Sequence, residues 1–364
     1  MPQIFQPWPI ARCFGLTIAL VLAGCVTAPP VAEHAVPETA VEQSAARAVV
    51  QREYALLMQM ACLSEAAYFD PKEPQRNTPS PGCGQWDAGP GIRTIPHVIQ
   101  LPDISGNLYD GSYTLIVDDV HKLQVIAIRG TNNSTDWLTD IQFVPVVDAI
   151  LQVTVHHGFQ LYARAVLDDL LVGGHIAELN PTYPTYITGH SLGGAVAVLL
   201  GLYFHVHYPH ALAIKAVYTY GQPRVFDNNG ATSWPAFADG VYHVENCYDP
   251  VPSVPISDSF LGSLISNPLS LRAQQGQYQH IGHEILLLGQ GNYWVPGQNE
   301  IAHATVDEIS ATVRALRAKQ LTDHGIEVYI SRLRGLAGPS GEIGQPTNPI
   351  YQFSKTCAYH QPTS

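Results

Sequence analysis

Ser191 stands in Gly189-His190-Ser191-Leu192-Gly193-Gly194, a G-x-S-x-G pattern followed by one further glycine. A serine hydroxyl becomes a useful nucleophile when a base takes its proton and a third group orients that base. The outer glycines, Gly189 and Gly193, suit a turn so sharp that side chains beside the serine would collide with a flanking strand and helix. His190 fills the position just before the nucleophile. A serine held this way sits at a helix N-terminus, where free amide groups and the helix dipole favour developing negative charge. The chemistry implied is acyl transfer, provided that a strand precedes the turn and a helix follows it.

The surrounding sequence meets that condition. Residues 185–188 are strand-like, and residues 192–205 are apolar nearly all round, as befits a helix buried against a sheet. Residues 113–117 and 123–129 are β-branched and aromatic runs separated by Asp118 and Asp119, which predicts a hairpin. Phe159, Tyr162, Val166 and Leu170 recur at helical spacing, and residues 214–220 and 241–246 read as two further buried strands. An amphipathic helix is expected over 45–68, with Val49, Tyr54, Leu57, Met58, Cys62 and Ala66 on one face. Residues 71–91 are a Pro/Gly-rich loop, residues 307–319 a closing helix, and residues 335–364 an irregular tail. Strands alternating with helices predict the α/β class, with a mostly parallel central sheet and helices on both faces.

The chain has 364 residues, 46% of them hydrophobic, which is enough for one large α/β domain. Eighteen basic residues against thirty acidic ones give a formal charge of −12, which argues against a nucleic-acid partner. Residues 1–24 carry one charge, Arg12, before an apolar run from Cys13 through Ala23 too short to span a bilayer comfortably. The run ends in Leu22-Ala23-Gly24-Cys25, which resembles the lipobox of bacterial lipoproteins. That resemblance implies a signal peptide over 1–24, a lipidated Cys25 as membrane anchor, and a flexible tether over 25–44 leading to a folded domain over 45–334. Val26 after Cys25, where an inner-membrane retention signal would carry aspartate, implies the outer membrane, facing the periplasm or the exterior. Discounting Cys13 and Cys25 leaves Cys62, Cys83, Cys247 and Cys357, which permit two disulfides in an exported chain. The pairing stays open, Cys62 with Cys83 closing the shorter loop. No cysteine or histidine spacing follows a zinc motif, and no metal or organic cofactor is expected.

Several ordered motifs together resemble the class 3 lipases, the family of the filamentous-fungal triacylglycerol lipases, over about residues 45–320. Arg129-Gly130-Thr131 is similar to the family's oxyanion loop, and Trp137 to a tryptophan of its lid. Phe143-Val144-Pro145-Val146, Val155-His156-His157-Gly158-Phe159 and Tyr220-Gly221-Gln222-Pro223-Arg224-Val225 resemble the segments that follow. The resemblance implies an α/β-hydrolase fold and an oxyanion hole made by the backbone amides of Thr131 and Leu192. It also implies a short amphipathic lid carrying Trp137, Leu138 and Ile141.

In such a hydrolase the chain order is serine, acid, histidine. Asp249, in Tyr248-Asp249-Pro250-Val251-Pro252 after the predicted strand 241–246, matches the family's acid, with Asp227 and Asp239 as earlier alternatives in loops. His280, His283 and His303 all follow Asp249. Gln279-His280-Ile281-Gly282-His283-Glu284 resembles a family segment with a noncatalytic histidine. His303 lies at an interval from Asp249 similar to that in fungal members and precedes a predicted helix. The expected triad is therefore Ser191, Asp249 and His303, with His280 the next candidate. The expected function is hydrolysis of lipid acyl esters through an acyl-enzyme on Ser191, without cofactor. A phospholipase or short-chain esterase within the same chemistry stays open. A noncatalytic lipid-binding envelope lipoprotein on the same fold is the alternative of a different class.

Overall fold

The computed structural model describes residues 40–69, 78–84, 89–102, 108–131, 144–247, 249–254, 278–295, 321–338, 340–344 and 346. All belong to one compact unit, Glu38–Ser364. Cys25 and the signal segment, the lid residues Trp137, Leu138 and Ile141, His303 and the expected helix 307–319 lie outside the described residues.

Eight strands form one sheet in the order β1-β2-β3-β6-β7-β8-β9-β10. They are β1 Ile92–Pro102, β2 Leu108–Asp118, β3 Leu123–Ile128, β6 Pro184–His190, β7 Ala213–Tyr220, β8 Val241–Asn246, β9 His283–Gly289 and β10 Asn292–Trp294. The centre, β3-β6-β7-β8-β9, is parallel throughout. The edges β1-β2-β3 and β9-β10 are antiparallel, so the hairpin expected around Asp118 and Asp119 joins β2 to β3. A separate two-stranded ribbon pairs β4 Pro145–Val147 with β5 Thr154–His156.

Alternation along the strands divides the core in two, because successive side chains point to opposite faces. Ile126 and Ile128 of β3 and Val217 of β7 pack with α2 His157–Leu171 and α3 Leu192–His207 on one face. Val125 and Ala127 of β3 and Tyr218 and Tyr220 of β7 pack on the other face with α1 Ala40–Ala66 and α6 Ile326–Leu336. Every residue of α3 from Leu192 to Phe204 is buried, which explains its lack of a polar stripe. Two short helices, α4 Asn228–Thr232 and α5 Pro235–Ala238, connect β7 to β8.

Both ends of the domain differ from the sequence expectation. Helix α1 begins at Ala40, inside the segment read as tether. At the other end α6 continues to Leu336 and Ile343 is fully buried, so the fold extends into the segment read as an irregular tail. Arg47 Nε donates to the Ile343 carbonyl at 2.8 Å, and the Ile343 amide donates to Gln51 Oε1 at 2.9 Å, which pins this segment to α1. Helix α1 is also stapled by a Cys62–Cys83 disulfide, and Cys247 is disulfide-bonded as well. Closing a loop of that length removes denatured-state entropy worth about 3 kcal/mol.

Candidate active site

Ser191 occupies the tight turn between β6 and α3 at φ 58°, ψ −130°, a backbone conformation that L-residues adopt only when their surroundings impose it. The turn is pinned by the Ser191 amide, which donates to the Tyr220 carbonyl at 2.9 Å. Its glycines are steric requirements: a Cβ at Gly189 would lie 2.3 Å from the Gly193 backbone, and one at Gly193 only 2.4 Å from the Ile128 carbonyl oxygen. Gly130, at the end of β3, fits as tightly, since a Cβ there would meet the His190 carbonyl oxygen at 2.7 Å. The elbow and the Arg129-Gly130-Thr131 loop are thus packed backbone to backbone. Leu192 opens α3, so its amide is among those a helix leaves without an internal partner. Thr131 Oγ1 is buried and has no hydrogen-bond partner among the described residues. An unpaired buried hydroxyl is costly, and this one stands where the oxyanion loop was expected to need a donor.

The imidazole beside Ser191 belongs to His324, and this corrects the assignment of His303. Ser191 Oγ and His324 Nε2 are 2.8 Å apart, and His324 Nδ1 is 2.7 Å from Asp249 Oδ2. All three groups are buried. Asp249 lies in the turn after β8, where the Val251 amide donates to its Oδ1 at 2.8 Å. Its Oδ2 also accepts a 2.6 Å bond from the Tyr329 hydroxyl. A carboxylate can only accept, so His324 must present Nδ1–H to it, which leaves Nε2 free to accept the serine proton. Burial, and next the Asp249 charge, raise the pKa of Tyr329 well above the ordinary tyrosine value, so it stays a donor.

His324 sits on a short 3-10 turn, Thr322–His324, directly before α6. Its backbone is gripped on both sides. Asn246 Nδ2 donates to the Asp323 carbonyl at 2.8 Å, and His190 Nε2 lies 2.6 Å from the His324 carbonyl. A carbonyl only accepts, so His190 carries its proton on Nε2, and its Nδ1 accepts from the Tyr68 hydroxyl at 3.1 Å. Burial, and then the neighbouring His324, lower the His190 pKa well below the usual value, which keeps the ring neutral and this tautomer intact. The residue before the nucleophile therefore positions the base.

The alternatives face elsewhere. Asp227 caps α4 by accepting from the Gly230 amide at 2.7 Å, and Asp239 ends α5. His283 starts β9 and stacks on Tyr242. His280 Nε2 lies 2.9 Å from the Pro252 carbonyl, its ring stacked on His243. Burial is the main cause that lowers the His280 pKa to about 3, so it braces the turn after Asp249 as a neutral donor. Sequence reading missed His324, Tyr329 and Tyr68. For the first two a signal existed: Ile326, Tyr329, Ile330, Leu333 and Leu336 follow helical spacing immediately after His324.

A serine elbow beneath a parallel sheet, in hydrogen-bond series with a histidine and an aspartate on later loops, is the arrangement of an α/β-hydrolase. Residues 125–259 match the family model described as lipase (class 3). It is 33% identical over 148 residues to the secreted mono- and diacylglycerol lipase 1 of Fusarium solani, covering 40% of this chain and 43% of that protein. Identity to a lipase of Rhizomucor miehei is 33% over 138 residues, covering 37% of this chain and 36% of that one. The chain thus spans less than half the length of these curated relatives. Among solved structures, the Rhizomucor miehei lipase propeptide complex shares the fold, with a TM-score of 0.52 at 24% identity over 72% of this chain and 77% of that one.

Proposed function

We propose that this protein is a serine carboxylic ester hydrolase acting on acyl esters of lipids. The observation that carries the proposal is the unbroken series Ser191 Oγ, His324 Nε2, His324 Nδ1, Asp249 Oδ2, with links of 2.8 and 2.7 Å. Ser191 Oγ attacks the ester carbonyl carbon while its proton passes to His324 Nε2, and Asp249 stabilises the imidazolium. The amides of Thr131 and Leu192, with the Thr131 hydroxyl, receive the oxyanion, and losing one such donor typically costs about 10²–10³ in turnover. His324 then protonates the departing alkoxide, and a water that it deprotonates releases the acyl group from Ser191. A noncatalytic lipid-binding role would give no reason for a strained serine aligned with a tautomer-locked imidazole.

The substrate class rests on the family match and on the named activities of the relatives. Ser191 is 0% and His324 1% exposed, so substrate must be admitted by an opening movement. This supports a lid carrying Trp137, Leu138 and Ile141 that opens at a lipid surface. A fluorophosphonate should label the wild-type protein, when presented with a lipid interface, and leave Ser191→Ala unlabelled. Persistent labelling of the variant would refute Ser191 as the nucleophile.

The Leu22-Ala23-Gly24-Cys25 sequence supports anchoring of the mature chain in the cell envelope through a lipidated Cys25. Cys25→Ser is expected to move the protein from the membrane fraction to the soluble one in a fractionated cell. Unchanged membrane association would count against lipidation.

A further inference from the structure

Outside the elbow, the fold assembles a second group of ligating side chains from segments far apart in sequence. His97 lies on β1, while His175 and Glu178 lie on the 3-10 turn His175–Glu178 that follows α2. His97 Nε2 is 2.9 Å from Glu178 Oε2, and His175 Nδ1 is 3.0 Å from Glu178 Oε1. One ligating atom from each of the three lies within 4.8 Å of the others. These are the separations that donors adopt around one small cation with bonds of about 2.0–2.2 Å.

The rings are also braced from behind. His97 stacks on Tyr113, with centroids 4.9 Å apart, and His175 rests against His97 at 4.1 Å. His175 Nε2, the nitrogen turned away from Glu178, faces Asp169 Oδ1 at 3.9 Å, and Tyr113 donates to Asp169 Oδ2 at 2.6 Å. A carboxylate behind the second imidazole nitrogen is the usual outer partner of a metal-ligating histidine. The neighbouring cation, Arg93, donates to the Glu178 backbone carbonyl and its Nε is 3.7 Å from Asp119, so it does not neutralise the Glu178 side chain. Moderate exposure leaves a route for an ion and for water as a further ligand.

The buried group His243, Glu245 and His280 meets the same distance test. There, however, the Arg224 charge already acts on Glu245, and His280 Nε2 is committed to the Pro252 carbonyl.

We propose that His97, His175 and Glu178 form a binding site for a divalent transition-metal ion of the zinc type. His97 contributes Nε2, His175 contributes Nδ1, and the Glu178 carboxylate contributes oxygen. Two imidazoles and a carboxylate suit zinc better than magnesium or calcium, which prefer all-oxygen sets. The ion would tie the edge strand β1 to the turn that leads into β6, a structural role separate from the hydrolytic chemistry.

The test uses the tag-free full chain, freed of metal by chelator and titrated calorimetrically with Zn²⁺. Wild type is expected to bind one equivalent that His97→Ala and His175→Ala both lack, and to gain thermal stability with Zn²⁺ that neither variant gains. Co²⁺ added instead should give the visible bands of a low-coordinate site in wild type alone. Asp169→Asn, which removes the carboxylate charge facing His175 Nε2 at 3.9 Å, should weaken Zn²⁺ by about 10–100-fold and serves if the histidine variants do not fold. Undiminished stoichiometry and affinity in the variants, or no Zn²⁺ binding by wild type, overturns the proposal.

Discussion

Replacing His324 by alanine is expected to lower turnover of a soluble nitrophenyl ester by about 10⁴–10⁶-fold, because members of a serine triad act as a unit. His303→Ala is expected to leave the same rate unchanged. The contrast follows from occupancy: both polar contacts that a catalytic imidazole must make, to Ser191 Oγ and to Asp249 Oδ2, are already made by His324. Initial rates at saturating ester, with circular dichroism to show that both variants are folded, decide the matter. A His324→Ala enzyme that still turns over, beside an inactive His303→Ala enzyme, would return the role to His303.

Asp249→Asn should cost about 10⁴-fold in turnover. Oδ2 takes two donors at once, His324 Nδ1–H at 2.7 Å and the Tyr329 hydroxyl at 2.6 Å. An amide offers its NH₂ to one of them, and when that one is His324 the ring moves its proton to Nε2. It then points a proton at Ser191 and can take none. Tyr329→Phe supplies the graded comparison. It removes the bond to the charged oxygen, together with the one the hydroxyl accepts from the Asn246 amide at 3.1 Å, and leaves the imidazole tautomer alone; the bond to the charged oxygen is worth about 1.5–3 kcal/mol, or roughly 10–150-fold if it falls wholly on the transition state. A larger loss in Tyr329→Phe than in Asp249→Asn would mean that orientation of α6, and not the carboxylate charge, is the main contribution.

The parts of this site legible from sequence are those fixed by short-range geometry. Gly189 and Gly193 declare the elbow because no side chain fits beside Ile128 and the Gly193 backbone. Asp249 is readable because it closely follows a buried strand and opens a proline turn. Strands β3, β6, β7 and β8 are readable because β-branched and aromatic residues recur there between helical periodicities, whereas β9 was not read from the sequence. The histidine was misplaced because its position was inferred from an interval. Loops between packed elements tolerate insertion, so the spacing of Asp249 and the base can change without moving either side chain. Tyr68 and the proton state of His190 were not legible at all: both depend on α1 meeting β6 across 122 residues of chain. The group His97, His175 and Glu178 was invisible for the same reason, since β1 and the turn after α2 meet only in space.

The base and its support lie in residues 321–343, which are made after the rest of the described core. A chain emerging from the ribosome displays Ser191 and Asp249 well before His324, Tyr329 and the Ile343 contact to α1 exist. Until that segment has been made, Ser191 lacks the imidazole that takes its proton, and one face of the sheet lacks the buried side chains of α6. On the proposed function, hydrolysis therefore begins only once the segment carrying His324 has packed against the rest of the described core.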